Sequence, residues 1–272
     1  LPDRVLIRGV AGHAQSFSLS CEARSAVDWA AFWDVGIREQ KFLAKLPRSD
    51  NPDEGFVGRP TDAWGNIPPS SYGVHAEPVA ALLREYGLQA EAHRSMKWSE
   101  LEAEIAAGRP VIVWVIGQVW RGKPVRYKAS DGHKTTVAPF EHTMIVVGYG
   151  PTVVELVDAY TGETQTHSLG DFLASWKTLG NMAVTGQSIP KDPADEFTEA
   201  TIQVYIPAIL NGSALVAEAP PSPAQADVYI VQQGDSLVGV ARRLKVNWRR
   251  LANLNHIPPP FHVFPGQKLK LP

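Results

Sequence analysis

Four residues in this chain have the types and order that nucleophilic acyl chemistry needs: Gln15, Cys21, His142 and Asp158. Cys21 is the only cysteine among 272 residues, so no internal disulfide can form and a cysteine-rich metal site is excluded. A thiol attacks well only as a thiolate. The stretch Cys21 to Trp33 (CEARSAVDWAAFW) is expected to be a helix, with Ser18 or Ser20 as the capping oxygen and Ala26, Trp29, Ala30 and Trp33 on one face. That puts the sulfur at a helix start, where unpaired N–H groups and partial positive charge are expected to lower its pKa. Glu22, next in sequence, brings a negative charge that works against the thiolate.

The base is expected to be His142, which opens the apolar run HTMIVVGYG after a polar, turn-rich stretch. A histidine at the start of a buried strand can turn its ring from the sheet rim toward a cleft. Asp158 ends the next strand, VVELVD, so adjacent strands would let its carboxylate fix the imidazole tautomer. Gln15, six positions before Cys21, can offer a side-chain N–H to a developing oxyanion.

The elements that must hold these groups are legible at low detail. Helices are expected at Pro78 to Tyr86 and Trp98 to Ala107, the second stopped by Gly108 and Pro110. Strands are expected at Val111 to Ile116, Thr143 to Gly148 and Val153 to Val157. Helices followed by strands argue for an α+β domain over residues 1–187. Residues 188–227 are rich in proline, alanine and acidic residues and read as a linker. Within them Thr201 to Leu210 has strand-like content that fits either a docked last strand or a sticky linker segment. Residues 228–272 read as a β-α-α-β unit, with strands at Val228 to Gln232 and Lys268 to Leu271 and helices at Leu237 to Leu244 and Trp248 to Leu254.

With those residues in place, most of the first 185 residues resemble the papain-like peptidases of the bacteriocin-leader-processing (double-glycine) type, in their transporter-free branch. The resemblance rests on the order Gln15, Cys21, His142, Asp158, together with YGVHAEPVAALLREYG, WSELEAEIAAGRPVIVWV, EHTMIVVGYG, VDAYTGE and FLASW. It implies a papain-like fold and thiol peptidase activity, with Cys21, His142 and Asp158 as the triad and no cofactor. Two departures stand out. Glu22 and Ala23 replace the usual glycine and proline after the nucleophile, and Ala159 replaces the proline often found after the carboxylate.

The C-terminal stretch resembles LysM domains over its whole length, marked by Val231, Gly234-Asp235-Ser236-Leu237, Ala241, Leu251, Asn255, Ile257 and Pro265-Gly266-Gln267. That resemblance implies binding of N-acetylglucosamine glycans, peptidoglycan or chitin, through loops carrying Gly234, Asp235, Ser236 and Leu237 and Asn255, His256 and Ile257. By physics alone the first loop is a turn and helix cap with no ligand.

Net charge is −2 with a pI near 6.5, so no basic footprint suggests nucleic acid. The longest strongly apolar run, Val111 to Gly117, is too short to span a bilayer. No HExxH or paired-ligand spacing predicts a catalytic metal. The start at Leu1 leads to the expectation that a leader has been removed, and the two resemblances to a secreted, cell-wall-associated bacterial enzyme acting on peptides or proteins. His75 is expected to pack or cap, His13 to lie on a surface loop, and His93, His133 and His167 to be exposed. Trp29 and Trp33 fit the core, whereas Trp64, Trp114 and Trp120 could line a groove. Asn211-Gly212-Ser213 matches a glycosylation acceptor. Two competing functions are a peptidoglycan endopeptidase or amidase with the same nucleophile, and a glycan-binding protein with a silent peptidase domain. Ser20 stands where NlpC-kind endopeptidases carry aspartate, which disfavours the first; the intact set of four disfavours the second.

Overall fold

A computed structural model describes residues 1–188, 228–232, 237–244, 246, 251–252, 254–255, 257, 263 and 266–271. The chain divides into two compact units, Leu1–Pro190 and Lys191–Pro272. Most of the expected linker, Thr201 to Leu210 and Asn211-Gly212-Ser213 lie outside the described residues.

The first unit is built on an antiparallel sheet. Its strands are β1 (Val5–Leu6), β2 (Leu88–His93), β3 (Val111–Ile116), β6 (Glu141–Tyr149), β7 (Val153–Asp158), β8 (Thr164–Ser168) and β9 (Ala183–Ser188), with a separate hairpin of β4 (Val125–Lys128) and β5 (Lys134–Val137). The order is β2-β9-β3-β6-β7-β8, with β1 added on β6. Helices α1 (Cys21–Phe32), α2 (Glu39–Lys45), α3 (Ala76–Glu85), α4 (Trp98–Ala106) and α5 (Leu169–Thr178) complete it.

Both faces of the central strands are covered, which is why β3 reads VIVWVI without alternation. Ile112, Trp114 and Ile116 pack with Ile145 and Val147 against α1 and α3. Val111, Val113 and Val115 pack with Met144 and Val146 against α4 and α5. Side chains on a strand alternate between faces. The two clusters are therefore the two sides of one sheet between two helical layers.

The indole groups are fully buried at Trp29, Trp114 and Trp176, and each N–H finds a carbonyl: Pro110, Val74 and Met182 respectively, at 2.7 to 2.9 Å. Trp114 is thus core and lines no groove. Trp29 is core as expected, while Trp33 is only half-buried.

Helix α1 starts at Cys21 as its periodicity predicts, but no side chain caps it. Ser20 Oγ instead donates to Glu39 Oε1 at 2.6 Å and accepts from the Phe17 N–H at 3.0 Å. Helix α3 begins two residues earlier than expected, at Ala76, and β6 two residues earlier, at Glu141. Gly108, at φ +77°, terminates α4 where predicted.

In the second unit β10 (Val228–Ile230) pairs antiparallel with β11 (Lys268–Lys270), and α6 (Leu237–Leu244) packs Leu237, Val240 and Ala241 on Val231, Leu251, Ala252, Ile257 and Leu269. The Asn255 side chain ties the end of the second helical stretch to β11. Its amide donates to the Leu251 and Lys270 carbonyls, and its oxygen accepts from Lys270 N–H at 2.6 Å. No helix of the described residues is long and apolar enough to cross a membrane.

Candidate active site

Strands β6 and β7 place the expected base and carboxylate together. Their register sets Met144 opposite Asp158, so His142 and Asp158 share a sheet face. His142 Nε2 lies 2.7 Å from Asp158 Oδ1, with both side chains buried. The ring is only 3% exposed, and Trp64 covers it edge-on at 6.1 Å.

Asp158 is held as a carboxylate. Burial pushes its pKa up, but the hydrogen bond and charge of His142, the Tyr160 N–H and the Thr161 hydroxyl outweigh this and bring it to about 2. Gln118 Nε2 and Gln165 Nε2 also donate to Oδ2, at 3.2 and 3.1 Å. Sequence reasoning missed Thr161, Gln118 and Gln165; a tight turn after the strand, with Gly162 donating back to the Asp158 carbonyl at 2.7 Å, is the signal for the first of them.

Cys21 sits at the first residue of α1, 3% exposed, and its environment differs from the sequence expectation. Its Sγ donates to Glu22 Oε2 at 3.3 Å rather than to His142. Burial, the negative charges of Glu22 and Glu141, and the hydrogen bond to Glu22 raise the thiol well above its ordinary pKa, against the weaker pull of the Thr143 N–H. The helix-start argument for a lowered pKa is thus corrected: desolvation and two carboxyl groups outweigh the helix terminus. Along β6, Thr143 meets Ser25 of α1 through their hydroxyls, 3.0 Å apart. Glu141 and Thr143 therefore share the face turned to α1, and His142 turns the other way, to Asp158.

Glu22 and Glu141 form the floor beside the thiol. Glu22 Oε1 accepts from the Val74 N–H at 2.6 Å, yet burial still raises its pKa to about 7. Its carboxyl fits only because position 73 is glycine at φ +118°; a Cβ there would collide with Glu22 Oε1. Glu141 is 2% exposed and neither of its oxygens has a hydrogen-bond partner. Burial and the Glu22 charge push its pKa well up.

Gln15 is anchored next to Asp158, its N–H donating to the Ala159 carbonyl at 2.8 Å. Its side-chain amide donates to the carbonyls of Phe17 and Ser18, at 2.6 and 3.2 Å, so in this arrangement it is turned to the backbone. Gln15, Phe17, Ser18, Thr61 and Tyr160 line an open cleft of about 560 Å³.

The remaining histidines divide differently from expectation. His75 precedes α3 and is fully buried, its ring between Asp53 Oδ1 at 2.5 Å and the Tyr72 hydroxyl at 3.2 Å, a packing role with no side-chain cap. His13 is on the surface and pairs with Asp28. His133 is exposed, but His93 and His167 are half-buried, bonded to Thr185 and Gln165. Trp64 and Trp120 do stand together, with Phe140, in a partly exposed aromatic group beside His142.

Of the expected glycan contacts, Gly234, Asp235, Ser236 and His256 lie outside the described residues. Leu237 and Ile257 are core residues, and the Asn255 amide is spent on the backbone.

A cysteine at the head of a helix, packed on a sheet whose next strands carry a paired histidine and aspartate, is the arrangement of papain-like cysteine peptidases. The model of the Peptidase_C39 like family matches residues 9–184, and the chain belongs to that family. It is a cysteine peptidase with a LysM domain, whose model matches residues 229–272. Among solved structures, a C39-like peptidase from Bacillus anthracis aligns with a TM-score of 0.61 at 20% identity, over 70% of this chain and 100% of that one, which supports the fold. A double glycine motif protease from an AMS/PCAT transporter, in complex with the leader peptide, aligns with a TM-score of 0.39 at 15% identity, over 68% and 99%. Xylellain, a cysteine protease from Xylella fastidiosa, gives 0.38 at 14%, over 70% and 87%. No curated protein sequence matches the chain.

Proposed function

We propose that the chain is a secreted peptidase that hydrolyses peptide bonds at the bacterial cell wall through Cys21, His142 and Asp158. The observation that carries this reading is the buried His142–Asp158 pair, 2.7 Å apart, on the strand whose neighbouring residues pack on the Cys21 helix. In the reaction the thiol must leave Glu22 and the His142 ring must swing from its own side of β6 toward the sulfur, so that the thiol gives its proton to His142 as the sulfur attacks the scissile carbonyl. The tetrahedral oxyanion is met by the Cys21 N–H and by Gln15, whose amide must turn from the Phe17 carbonyl into the cleft. His142 then protonates the leaving amine, and water hydrolyses the thioester. Asp158, ionised throughout, keeps the ring oriented through Nε2 and leaves Nδ1 for the sulfur. The LysM domain directs the enzyme to peptidoglycan or a related N-acetylglucosamine glycan, raising its local concentration on wall-borne substrate.

The engagement of the thiol with Glu22 favours a second reading, a glycan-binding protein with a silent peptidase domain. One experiment separates them. The full chain is assayed on a soluble peptide library and sedimented with insoluble peptidoglycan and chitin, beside the Cys21→Ala, His142→Ala and Asp158→Asn variants. Hydrolysis is expected to vanish with Cys21→Ala and to fall about 10²- to 10⁴-fold in kcat with Asp158→Asn, with glycan binding unchanged in each. Hydrolysis that survives Cys21→Ala or His142→Ala would refute the triad, and wild type that binds glycan without hydrolysing any peptide would support the second reading.

A further inference from the structure

The Cys21 pocket contains more negative ligand atoms than a resting thiol needs. Cys21 Sγ, a Glu22 oxygen and a Glu141 oxygen all lie within 4.8 Å of one another, and all three residues are buried. No Lys, Arg or His forms an ion pair with either carboxyl group among the described residues. Buried polar groups are nearly always bonded, and an orphan in such a place points to a missing partner. Glu141 has two orphan oxygens, in a pocket it shares with a thiol.

Geometry favours a cation over a proton as that partner. A shared proton would draw two carboxyl oxygens into a short hydrogen bond, and no hydrogen bond joins Glu22 to Glu141. Ligands on one tetrahedral zinc stand further apart: bonds of about 2.3 Å to sulfur and about 2.0 Å to oxygen put S and O roughly 3.5 Å from each other. The Sγ to Glu22 Oε2 separation is 3.3 Å. Glu22 also has the outer support that metal-bound carboxylates use, since its other oxygen is fixed by the Val74 N–H at 2.6 Å.

We propose that Cys21, Glu22 and Glu141 form a three-ligand site for a thiophilic divalent cation of the zinc class, and that the bound ion blocks the nucleophile reversibly. One thiolate and two carboxylates suit zinc and cobalt(II) better than magnesium or calcium, which take oxygen ligands alone. On binding, the Cys21 thiol proton and the protons that burial favours on Glu141 and Glu22 leave to solvent, and a lone pair of the sulfur and of one oxygen of each carboxylate forms the metal bond. No electron transfer is involved. The metal site stands on the three side chains; the inhibition rests in addition on Cys21 being the nucleophile proposed above.

The test uses the full-length chain, stripped of metal and titrated with cobalt(II). A near-ultraviolet sulfur-to-cobalt charge-transfer band is expected, saturating at one equivalent and displaced by zinc. Cys21→Ser should abolish the band, and Glu141→Gln and Glu22→Gln should each weaken apparent affinity at least tenfold. Absence of the band, or a band of equal affinity in both glutamine variants, would overturn the site. Should a glutamine variant fail to fold, thermal unfolding of wild type and Cys21→Ser decides: zinc is expected to raise the wild-type midpoint alone, and no rise would overturn the site. None of these readouts needs hydrolysis, so a failed triad is distinguishable from a failed metal site. Zinc inhibition of peptide hydrolysis, restored by chelator, is expected for the blocking role, and full activity with the site saturated would overturn that role.

Discussion

Glu22→Gln isolates the electrostatic brake on Cys21. The substitution keeps an oxygen for the Val74 N–H and replaces the acceptor facing Sγ, 3.3 Å away, with an amide N–H that can donate to a thiolate. At 3.3 Å and an effective dielectric of about 20, a thiolate and a carboxylate repel by about 5 kcal/mol. Were rotation of the sulfur to leave only a third of that, the thiolate population would still change more than tenfold, since about 1.4 kcal/mol is a factor of ten. The direction with pH follows from Glu22 itself, whose pKa is about 7. Above that pH its carboxyl is charged in wild type and suppresses the thiolate; well below it the carboxyl is neutral, like the glutamine. Iodoacetamide labelling of Cys21, measured by mass with chelator present, is therefore expected to run at least tenfold faster in Glu22→Gln at about pH 8.5 and to converge with wild type near about pH 5.5. A rate ratio that does not vary with pH, or a variant slower than wild type at the alkaline end, would refute the argument.

Two further outcomes concern stability. Because the pKa of Glu22 is raised from 4.5 to about 7 on folding, the folded state holds that proton more tightly than the unfolded chain. Wild type should therefore lose stability relative to Glu22→Gln as pH rises from about 4.5 to about 7, by up to about 3 kcal/mol, and keep that deficit with no further change from that group above about pH 8; urea unfolding at several pH values checks it. Asn255→Ala removes three hydrogen bonds and leaves the Lys270 N–H without its acceptor. It should destabilise the C-terminal unit by about 1–3 kcal/mol, read from a tryptophan-fluorescence or calorimetric transition of the full chain, while leaving peptide hydrolysis intact.

The parts of the fold legible in the sequence were those with long apolar runs or clean helical spacing: α1, α3, α4, β3, β6 and β7. The order of Gln15, Cys21, His142 and Asp158 was also legible, and strand pairing brings the last two into contact as adjacency predicts. Short or polar elements carried too little pattern. Strand β8, TQTHS, is an exposed edge strand, and β2, LQAEAH, has only two buried positions. Helix α5 had a usable signal that went unread: Ser168 caps it by accepting the Asp171 N–H at 3.1 Å. The state of the thiol was not legible because it depends on Glu141, 120 positions away, and on the glycine at 73 that makes room for Glu22. A local rule about helix starts cannot see charge delivered by a distant strand.

The place of β9 in the sheet has a consequence for biogenesis. It is the last strand of the first unit to be synthesised, yet it lies between β2 and β3, bonding Leu88–His93 on one side and Ile112–Val113 on the other. A nascent chain that has not yet released residues 183–188 therefore has β2 without a sheet partner and β3 with an open edge, the kind of exposed ladder that recruits other chains. Non-local pairing of this sort is slow to form. At about 5–20 residues per second, the hundred residues between the start of β2 and the end of β9 take roughly 5–20 s to emerge. During that interval α1 and β6 cannot be clamped by a finished sheet, so the ribosome delivers the nucleophile long before it delivers the strand that closes the scaffold around it. Peptidase assembly is in this sense gated by translation order.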